Sequence, residues 1–336
     1  MNILKLILNK LRHIKFRFNH YKRETSNKIK WRYRRFRREL RNLKNKDYRY
    51  YKYYYERRIL SSKPIICEAN DNFELHILSC KKNLLDSLWS LKTFYHYSGL
   101  KSNLVIHSDG SLTKRDKRIY LKHFKNCKII ERDEATNYME TCLKEYPISL
   151  SFRKRKPFYC SLKLFDPLFY SSNDNILYID SDILFFKKPQ EIIDYINKRI
   201  PFFNSDMEDS YSCSRERLNE LFNKDVCKKF NAGLMYFNKK EYLKKLDFIE
   251  DFFKTVYELK IMCSVGPNHH EQTLHAILAK ELGSKRLHEN YQPGNIQVND
   301  KTVSCHFFSG GYPLRFYTVG LKLLKNNNFL EEFNKN

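Results

Sequence analysis

The sequence predicts an α/β protein, a sheet flanked by helices, preceded by a basic helical extension. Three observations carry this. From residue 73 onward, short apolar runs alternate with segments whose apolar residues recur at helical spacing. The strand–helix–strand–helix–strand order that opens this region implies parallel strands with helices on both faces. Charge is also segregated. The 336 residues carry a formal net charge of +25, and residues 1–60 hold 21 Lys and Arg against 4 Asp and Glu.

The elements follow in order. Phe73–Ser79 reads as a buried strand, and Leu84, Leu85, Leu88, Leu91 and Tyr95 mark a helix. Asn103–His107 is a second strand ending at Ser108-Asp109-Gly110. Thr113–Phe124 is a helix with a polar start, Lys128–Glu131 a third strand, and Ala135–Tyr146 a further helix. Asn175–Ile179 is a fourth strand, followed by the short apolar run Ile183–Phe186 and by a helix from Pro189, where proline suits a first turn. Pro201–Phe203 and Gly233–Asn238 read as strands, Lys239–Lys260 and His269–Leu282 as long helices, and Thr302–Phe308 as a last strand. In such sheets ligands bind beyond the carboxyl ends of the strands, which directs attention to Ser79, Cys80 and Asp109.

The extension differs in character. Leu4, Ile7, Leu8, Leu11, Ile14 and Phe18 recur at helical spacing, with Lys5, Arg12, His13 and Lys15 on other faces. Residues 21–60 interleave Arg with Trp31 and many tyrosines and contain no Gly or Pro, as in a long basic helix. Such a segment suits an anionic membrane surface or a nucleic acid. The expected organisation is an extension over 1–60, a linker over 61–72, a main domain over 73–325 and a tail over 326–336. Nine cysteines (Cys67, Cys80, Cys127, Cys142, Cys160, Cys213, Cys227, Cys263 and Cys305) form no CxxC pair, which argues against a zinc site and for reduced thiols. No apolar stretch approaches the ~20 residues that span a bilayer, and residues 1–16 lack the small-residue cleavage site of a secretion signal. The expectation is a cytoplasmic protein, peripheral on the inner face of a membrane.

The chemistry centres on Ile176-Leu177-Tyr178-Ile179-Asp180-Ser181-Asp182. Alternate residues of an extended segment share a face, so Asp180 and Asp182 can reach one hard divalent cation, Mg²⁺ or Mn²⁺, which commonly bridges diphosphates. With 17 aspartates, one D-x-D arises by chance. Its place at the end of a continuous apolar strand sets this one apart.

The run ILYIDSDILFF (residues 176–186), preceded by SLKLFDPLFY (161–170), resembles the D-x-D region of GT-A glycosyltransferases, closest to glycosyltransferase family eight and its relatives. Three further segments are similar to that family in the same order: FNAGLMYFN (230–238), HHEQTLHAIL (269–278) and CHFFSG (305–310). The resemblance spans residues 73–310. It implies the GT-A fold, a Rossmann-like mixed sheet flanked by helices. It implies a hexosyltransferase-like activity, retaining at the anomeric carbon, that moves sugar from a nucleoside diphosphate sugar (a UDP-sugar) to a hydroxyl acceptor on a surface or lipid-linked glycan. By position, Asp180, Asp182 and His306 match the metal ligands, with Asp180 also facing the donor ribose. Lys163 matches a lysine that approaches the donor, and Asn231, Ala232 and Gly233 match the strand lining the sugar pocket. Glu271 and Gln272 match an acidic-Gln pair beside the anomeric carbon. Ser79 and Asp109 fall near the nucleoside, and the polar loop Asn204–Ser214, with Asp206 and Asp209, is where sugar selectivity is expected. The sequence departs from the family after His306, where the Lys-Pro-Trp is missing, and at Thr273, where Asp is common.

Departing charge on a diphosphate calls for such a cation as Lewis acid, with lysine in support. Gln272 can hydrogen-bond sugar hydroxyls, and Glu271 can orient an acceptor or act as a base. Two rivals stand beside this reading. A metal-dependent nucleotidyltransferase uses similar carboxylates but needs a phosphate loop, and the first β–α turn, Ser79-Cys80-Lys81-Lys82-Asn83, has no glycine. A nucleic-acid-binding protein draws only on residues 21–60.

Overall fold

The structure is a computed structural model. It describes residue 33 and residues 36–69, 72–155, 159–261, 268–294, 297–308 and 314–335. The expected amphipathic helix over 1–20 lies outside them.

Two compact units divide the chain, Met1–Tyr50 and Tyr51–Asn336. In the first, residues 36–42 are helical, and the Tyr48 hydroxyl donates to Glu39 Oε1 at 2.9 Å. The second unit is built on a seven-stranded mixed sheet. We number its strands β1 Glu74–Ser79, β2 Leu104–Ser108, β3 Lys128–Ile130, β4 Asn175–Ile179, then β6 Phe202–Ser205, β7 Phe230–Asn238 and β8 Lys285–Arg286. The spatial order is β8-β6-β7-β4-β1-β2-β3. A three-stranded sheet, β9-β10-β5, joins β5 Ile183–Phe185, β9 Tyr291–Pro293 and β10 Ser304–His306.

The alternating apolar runs form as the sequence implies. All five residues of β4 are buried, so it is apolar on both faces, as a central strand between helix layers must be. Strands β4, β1, β2 and β3 run parallel. Between them lie α1 Leu84–Ser98, α2 Lys114–His123, α3 Arg132–Cys142, α4 Pro147–Lys154 and α5 Ser161–Tyr170. Thr113 caps α2 with a full capping box to Asp116. The sheet is mixed, as the family resemblance implies: β7 inserts antiparallel to both β4 and β6, and β8 pairs parallel with β6, so six strands run one way and β7 alone runs the other. Helices α6 Gln190–Asn197, α7 Arg215–Phe222, α8 Leu246–Glu258 and α9 Asn268–Glu281 complete the layers. An apolar core under β4 and β7 is sealed by aromatic pairs such as Phe152–Phe253, centroids 4.1 Å apart.

Several boundaries move. The expected linker 61–72 begins inside a folded segment. Tyr55–Ser61 is a 3₁₀-helix whose Tyr55 and Ile59 are buried, and the Glu56 carbonyl accepts the Trp89 indole N–H at 2.9 Å. Ile65-Ile66 pairs with Phe124-Lys125 as a short parallel ladder. Within the segment read as a long basic helix, Tyr51, Tyr55 and Ile59 are core residues, while Tyr54 stays exposed. The expected tail also packs: Phe329–Lys335 is a helix, with Phe329 against Trp89 at 5.8 Å. The single long helix expected over Lys239–Lys260 is two, Lys239–Leu243 and α8. Among the described residues no helix is long and apolar enough to cross a membrane.

Topology sets the site. Strands β1, β2 and β4 end together at Ser79, Ser108 and Ile179. β7 enters this same edge with Phe230–Gly233, since Ile179 pairs with Leu234. Strand β10 returns antiparallel to β5, pairing His306 with Ile183. The D-x-D turn and a histidine 124 positions beyond Asp182 therefore meet at one sheet edge.

Candidate metal centre

The turn after β4 is pinned by its own backbone. Asp180 N–H donates to Gly233 O at 2.7 Å, Ser90 Oγ donates to Asp180 O at 3.0 Å, and Phe307 N–H donates to Asp182 O at 2.9 Å. The side chains are thereby left to face the edge. One ligand atom from each of Asp180, Asp182 and His306 lies within 4.8 Å of the others. His306 Nε2 stands 3.1 Å from Asp182 Oδ1 and 3.7 Å from Asp180 Oδ2.

The protonation of His306 follows from its neighbour. Gly233 N–H donates to Asn231 Oδ1 at 2.9 Å, which fixes that atom as the acceptor. His306 Nδ1 lies 2.9 Å from the same oxygen and must donate. The lone pair of a neutral ring is then on Nε2, aimed at two carboxylates. Such a meeting of three acceptors is repulsive unless a positive charge sits among them. In the bare chain a proton supplies it. Burial opposes the imidazolium, but Asp182 and Asp180 outweigh burial and raise His306 above its usual range. Burial would likewise raise Asp182, yet His306 holds it below the carboxylate range. Two carboxylates and one imidazole, with a hydrogen bond fixing the histidine tautomer, are a donor set that fits a divalent cation such as Mn²⁺ or Mg²⁺.

Gly233 makes the approach possible. A Cβ there would lie 2.3 Å from His306 Cε1, inside any permitted contact. Gly294 is held as tightly, its hypothetical Cβ falling 2.4 Å from the His306 carbonyl oxygen.

Lys163, on the first turn of α5, donates to both oxygens of Asp180 at 2.7 Å. Burial disfavours its charge, but Asp180 overrides this and the ammonium is held well above its usual range. Tyr178 reaches the same carboxylate at 3.3 Å. Glu271 and Gln272 project from the first turn of α9. Glu271 is buried, and burial, offset in part by Lys163, pushes its carboxyl up to about 8. Its Oε1 has no hydrogen-bond partner among the described residues and faces His275 Nε2 at 3.4 Å, one turn along the helix. Burial and Lys163 bring His275 down to about 3, so it is neutral. Gln272 Nε2 donates to Asp206 Oδ2 at 3.3 Å and to Ser210 O at 3.1 Å, while Ala232 N–H donates to its Oε1 at 3.4 Å. Asn231 Nδ2 lies 3.5 Å from Asp206 Oδ2. Asp182, His306, Asn231, Ala232, Gly233, Gln272 and Asp206 thus form one connected set beside Asp180, Lys163 and Glu271.

Ser79 and Asp109 sit farther along the edge. Ser79 is buried, and its hydroxyl is engaged by Tyr120 at 2.5 Å and Ser87 at 3.2 Å, so its side chain is committed to packing α1 and α2. Asp109 closes a tight turn, with its Oδ1 accepting from Ser111 N–H at 2.8 Å. His269 and His270, expected at a loop or cap, lie in the first turn of α9, and His270 pairs with Ser212 at 2.7 Å. Sequence reading missed Tyr178 and His275. The first lies two residues before Asp180 on the same strand face, and the second lies four after Glu271 on a helix, so spacing alone was enough to flag both.

No protein-family model matches the sequence, and no curated protein does. Solved structures are similar in outline. Mouse xyloside xylosyltransferase 1, apo form, gives a TM-score of 0.48 at 11% identity, covering 70% of this chain and 97% of that one. The galactosyltransferase LgtC in complex with donor and acceptor sugar analogs gives 0.49 at 11% identity, covering 78% and 95%. These likenesses are too loose to transfer roles residue by residue, and the roles below rest on this chain's own geometry.

Proposed function

We propose that this chain is a metal-dependent glycosyltransferase of GT-A type, moving sugar from a nucleoside diphosphate sugar to a hydroxyl acceptor. One observation carries the reading: Asp180, Asp182 and the Nε2 lone pair of His306 converge on one point that requires a positive charge, beside a buried lysine, at the carboxyl edge of a parallel sheet. A bound Mn²⁺ or Mg²⁺ would supply Lewis acidity toward a departing diphosphate.

The residues divide the work. Asp180, Asp182 and His306 would hold the cation, and Asn231 keeps His306 in the ligating tautomer. Lys163 offers fixed positive charge toward the leaving group. Asn231, Ala232, Gly233, Gln272 and Asp206, joined by hydrogen bonds beside the cation site, would offer polar groups to sugar hydroxyls. Glu271, whose carboxyl burial pushes up to about 8, stands beside Gln272 to orient an acceptor or to act as a base. Asp109, half-buried at the end of β2, would face the nucleoside, whereas the buried hydroxyl of Ser79 supports the edge indirectly. In the transfer the bond from the anomeric carbon to the diphosphate oxygen breaks, one to the acceptor oxygen forms, and the proton of the acceptor hydroxyl passes to the departing diphosphate. A UDP-sugar donor, a retaining course, a surface or lipid-linked glycan acceptor and attachment of residues 1–60 to an anionic membrane belong to the same proposal. They rest on the four ordered motifs and on the charge of the extension.

Thermal shift with a panel of nucleoside diphosphates and their sugars, with and without Mn²⁺, tests it. At about 100 times its dissociation constant a ligand adds roughly 2.7 kcal/mol. A Mn²⁺-dependent shift with one nucleotide, lost in Asp182→Ala, is expected. No shift with any nucleotide in folded protein would reject the reading.

A further inference from the structure

Glu271 has a neighbour that the metal centre does not use. His275 lies one turn along α9 and is wholly buried, with Phe230 and Phe237 of β7 and Tyr242 around its ring, at centroid distances of 6.4, 6.1 and 5.7 Å. Its Nε2 faces Glu271 Oε1 at 3.4 Å. Among the described residues neither atom makes a hydrogen bond, and both are enclosed away from solvent. On the other side of the ring, Nδ1 lies 3.3 Å from the hydroxyl of Tyr242, on the short helix Lys239–Leu243. Tyr242, His275 and Glu271 are thus linked in series. A buried donor and a buried acceptor left unpaired side by side are costly, and a small turn of either side chain joins them.

Counting hydrogens fixes the direction of the series. His275 is neutral, because burial and then Lys163 disfavour its charged form, so its ring carries one hydrogen. The Tyr242 hydroxyl also carries one, and among the described residues its partner is His275 Nδ1. With Tyr242 donating to Nδ1, the ring hydrogen sits on Nε2 and points at Glu271 Oε1. The opposite tautomer sets the Nε2 lone pair against a carboxyl oxygen and leaves the Tyr242 hydrogen without an acceptor. An ionised carboxylate accepts the Nε2 hydrogen more strongly than a neutral acid does, so the series favours the charged form of Glu271.

The other groups around Glu271 do not replace this donor. Burial opposes its charge, Lys163 favours it and Asp180 disfavours it. Lys163 is committed to Asp180 at 2.7 Å. Cys160, Tyr178 and Tyr242 also lie within reach of its charge, and burial holds each of them protonated. Among the described residues the ring of His275 is the donor left in reach of Oε1.

We propose that His275, backed by Tyr242, is a positioning residue for Glu271: its Nε2–H holds the carboxylate ionised and fixed in direction, the form that orients an acceptor hydroxyl or acts as a base. The task of Glu271 rests on the glycosyl-transfer reading, and the donation by His275 rests on the buried contacts alone.

The test follows the titration of Glu271 in the full chain by urea unfolding across about pH 4–9. Each protein is paired with its Glu271→Gln counterpart, and the difference isolates the part of stability that Glu271 controls. Because burial raises its carboxyl, that part is present at low pH and is lost as pH rises through the folded value. Removing a donor to the carboxylate moves the loss to higher pH. In His275→Leu it is expected about one pH unit above wild type, a tenfold change in proton affinity. His275→Gln, which keeps an N–H donor, should bring it back toward wild type, and Tyr242→Phe should raise it by less. A loss at the same pH in His275→Leu as in wild type would mean that the ring only packs. A loss at lower pH would mean that it accepts from a protonated Glu271, and either result overturns the proposal. If His275→Leu does not fold, Tyr242→Phe decides, and an unmoved loss there overturns it equally. Mn²⁺-dependent nucleotide binding by wild type separates the two claims: its absence removes the transfer reading and leaves the titration result in place.

Discussion

Helix α5 carries two ionic residues three positions apart, and they live in opposite worlds. Asp166 pairs with Arg153 in a buried bidentate clasp, Nε to Oδ1 at 2.8 Å and Nη2 to Oδ2 at 2.9 Å, and Thr136 takes the remaining reach of the guanidinium at 2.8 Å. Neither side chain is more than 2% exposed. Lys163 pairs with Asp180 at 2.7 Å, but their side chains are 10% and 18% exposed, and Asp180 shares its surroundings with Asp182 and His306. The first pair is complete and structural. The second borders a cluster that could hold a cation, where the bare chain keeps a proton on His306.

Substitutions should separate the two. The largest effect expected is on the complete pair: Asp166→Ala strands a buried guanidinium and should cost about 3–5 kcal/mol in urea unfolding. Asp182→Asn, in the cluster beside the second pair, should leave stability within about 1 kcal/mol of wild type while abolishing Mn²⁺ binding. If the two variants unfold alike, the distinction fails. Next is Gly233→Ala, whose methyl must displace the His306 ring. Overpacking of about 1–3 kcal/mol should appear together with lost Mn²⁺ affinity. A variant that binds Mn²⁺ normally would show that the ring is placed otherwise. Asn231→Leu removes the acceptor that fixes the histidine tautomer, together with its bonds to Gly233 N–H and Asp206, and a drop of about 10–100-fold in Mn²⁺ affinity by isothermal titration is expected.

The gentlest effect is on a slope. The Glu271 carboxyl is raised from 4.5 to about 8, chiefly by burial. A group raised in the folded state contributes stability that is fully present below its unfolded value and is lost as pH rises through the folded one. Stability should therefore decline between about 4.5 and 8, and Glu271→Gln should flatten that decline in chemical denaturation series. An unchanged slope would mean that Glu271 is hydrated and ionised in the fold.

Much of this was legible in the sequence, for reasons of locality. Strand β4 is a five-residue apolar run that could only be central, and its end fell where expected at Ile179. Asp180 and Asp182 share a face by simple alternation. His306 was reachable only through the ordered motifs, because its meeting with Asp182 depends on β10 folding back along β5. The antiparallel insertion of β7 between β4 and β6 was hidden for the same reason, since strand order is decided by packing and not by local pattern. Helix α5 was obscured by Pro167 in its interior. The packing of Tyr55 under Trp89, stacked at 5.5 Å, was masked by the basic residues around it, which made a folded segment look like part of a solvated arm.

The most direct test of the central claim is a Mn²⁺ titration of the full chain followed by electron paramagnetic resonance, with wild type beside Asp182→Asn and His306→Phe. One bound Mn²⁺ per chain is expected in wild type, strengthened by a nucleoside diphosphate and lost in both variants. Mn²⁺ that binds equally to all three proteins, or to none of them with or without nucleotide, would contradict the assignment of Asp180, Asp182 and His306 as a metal centre.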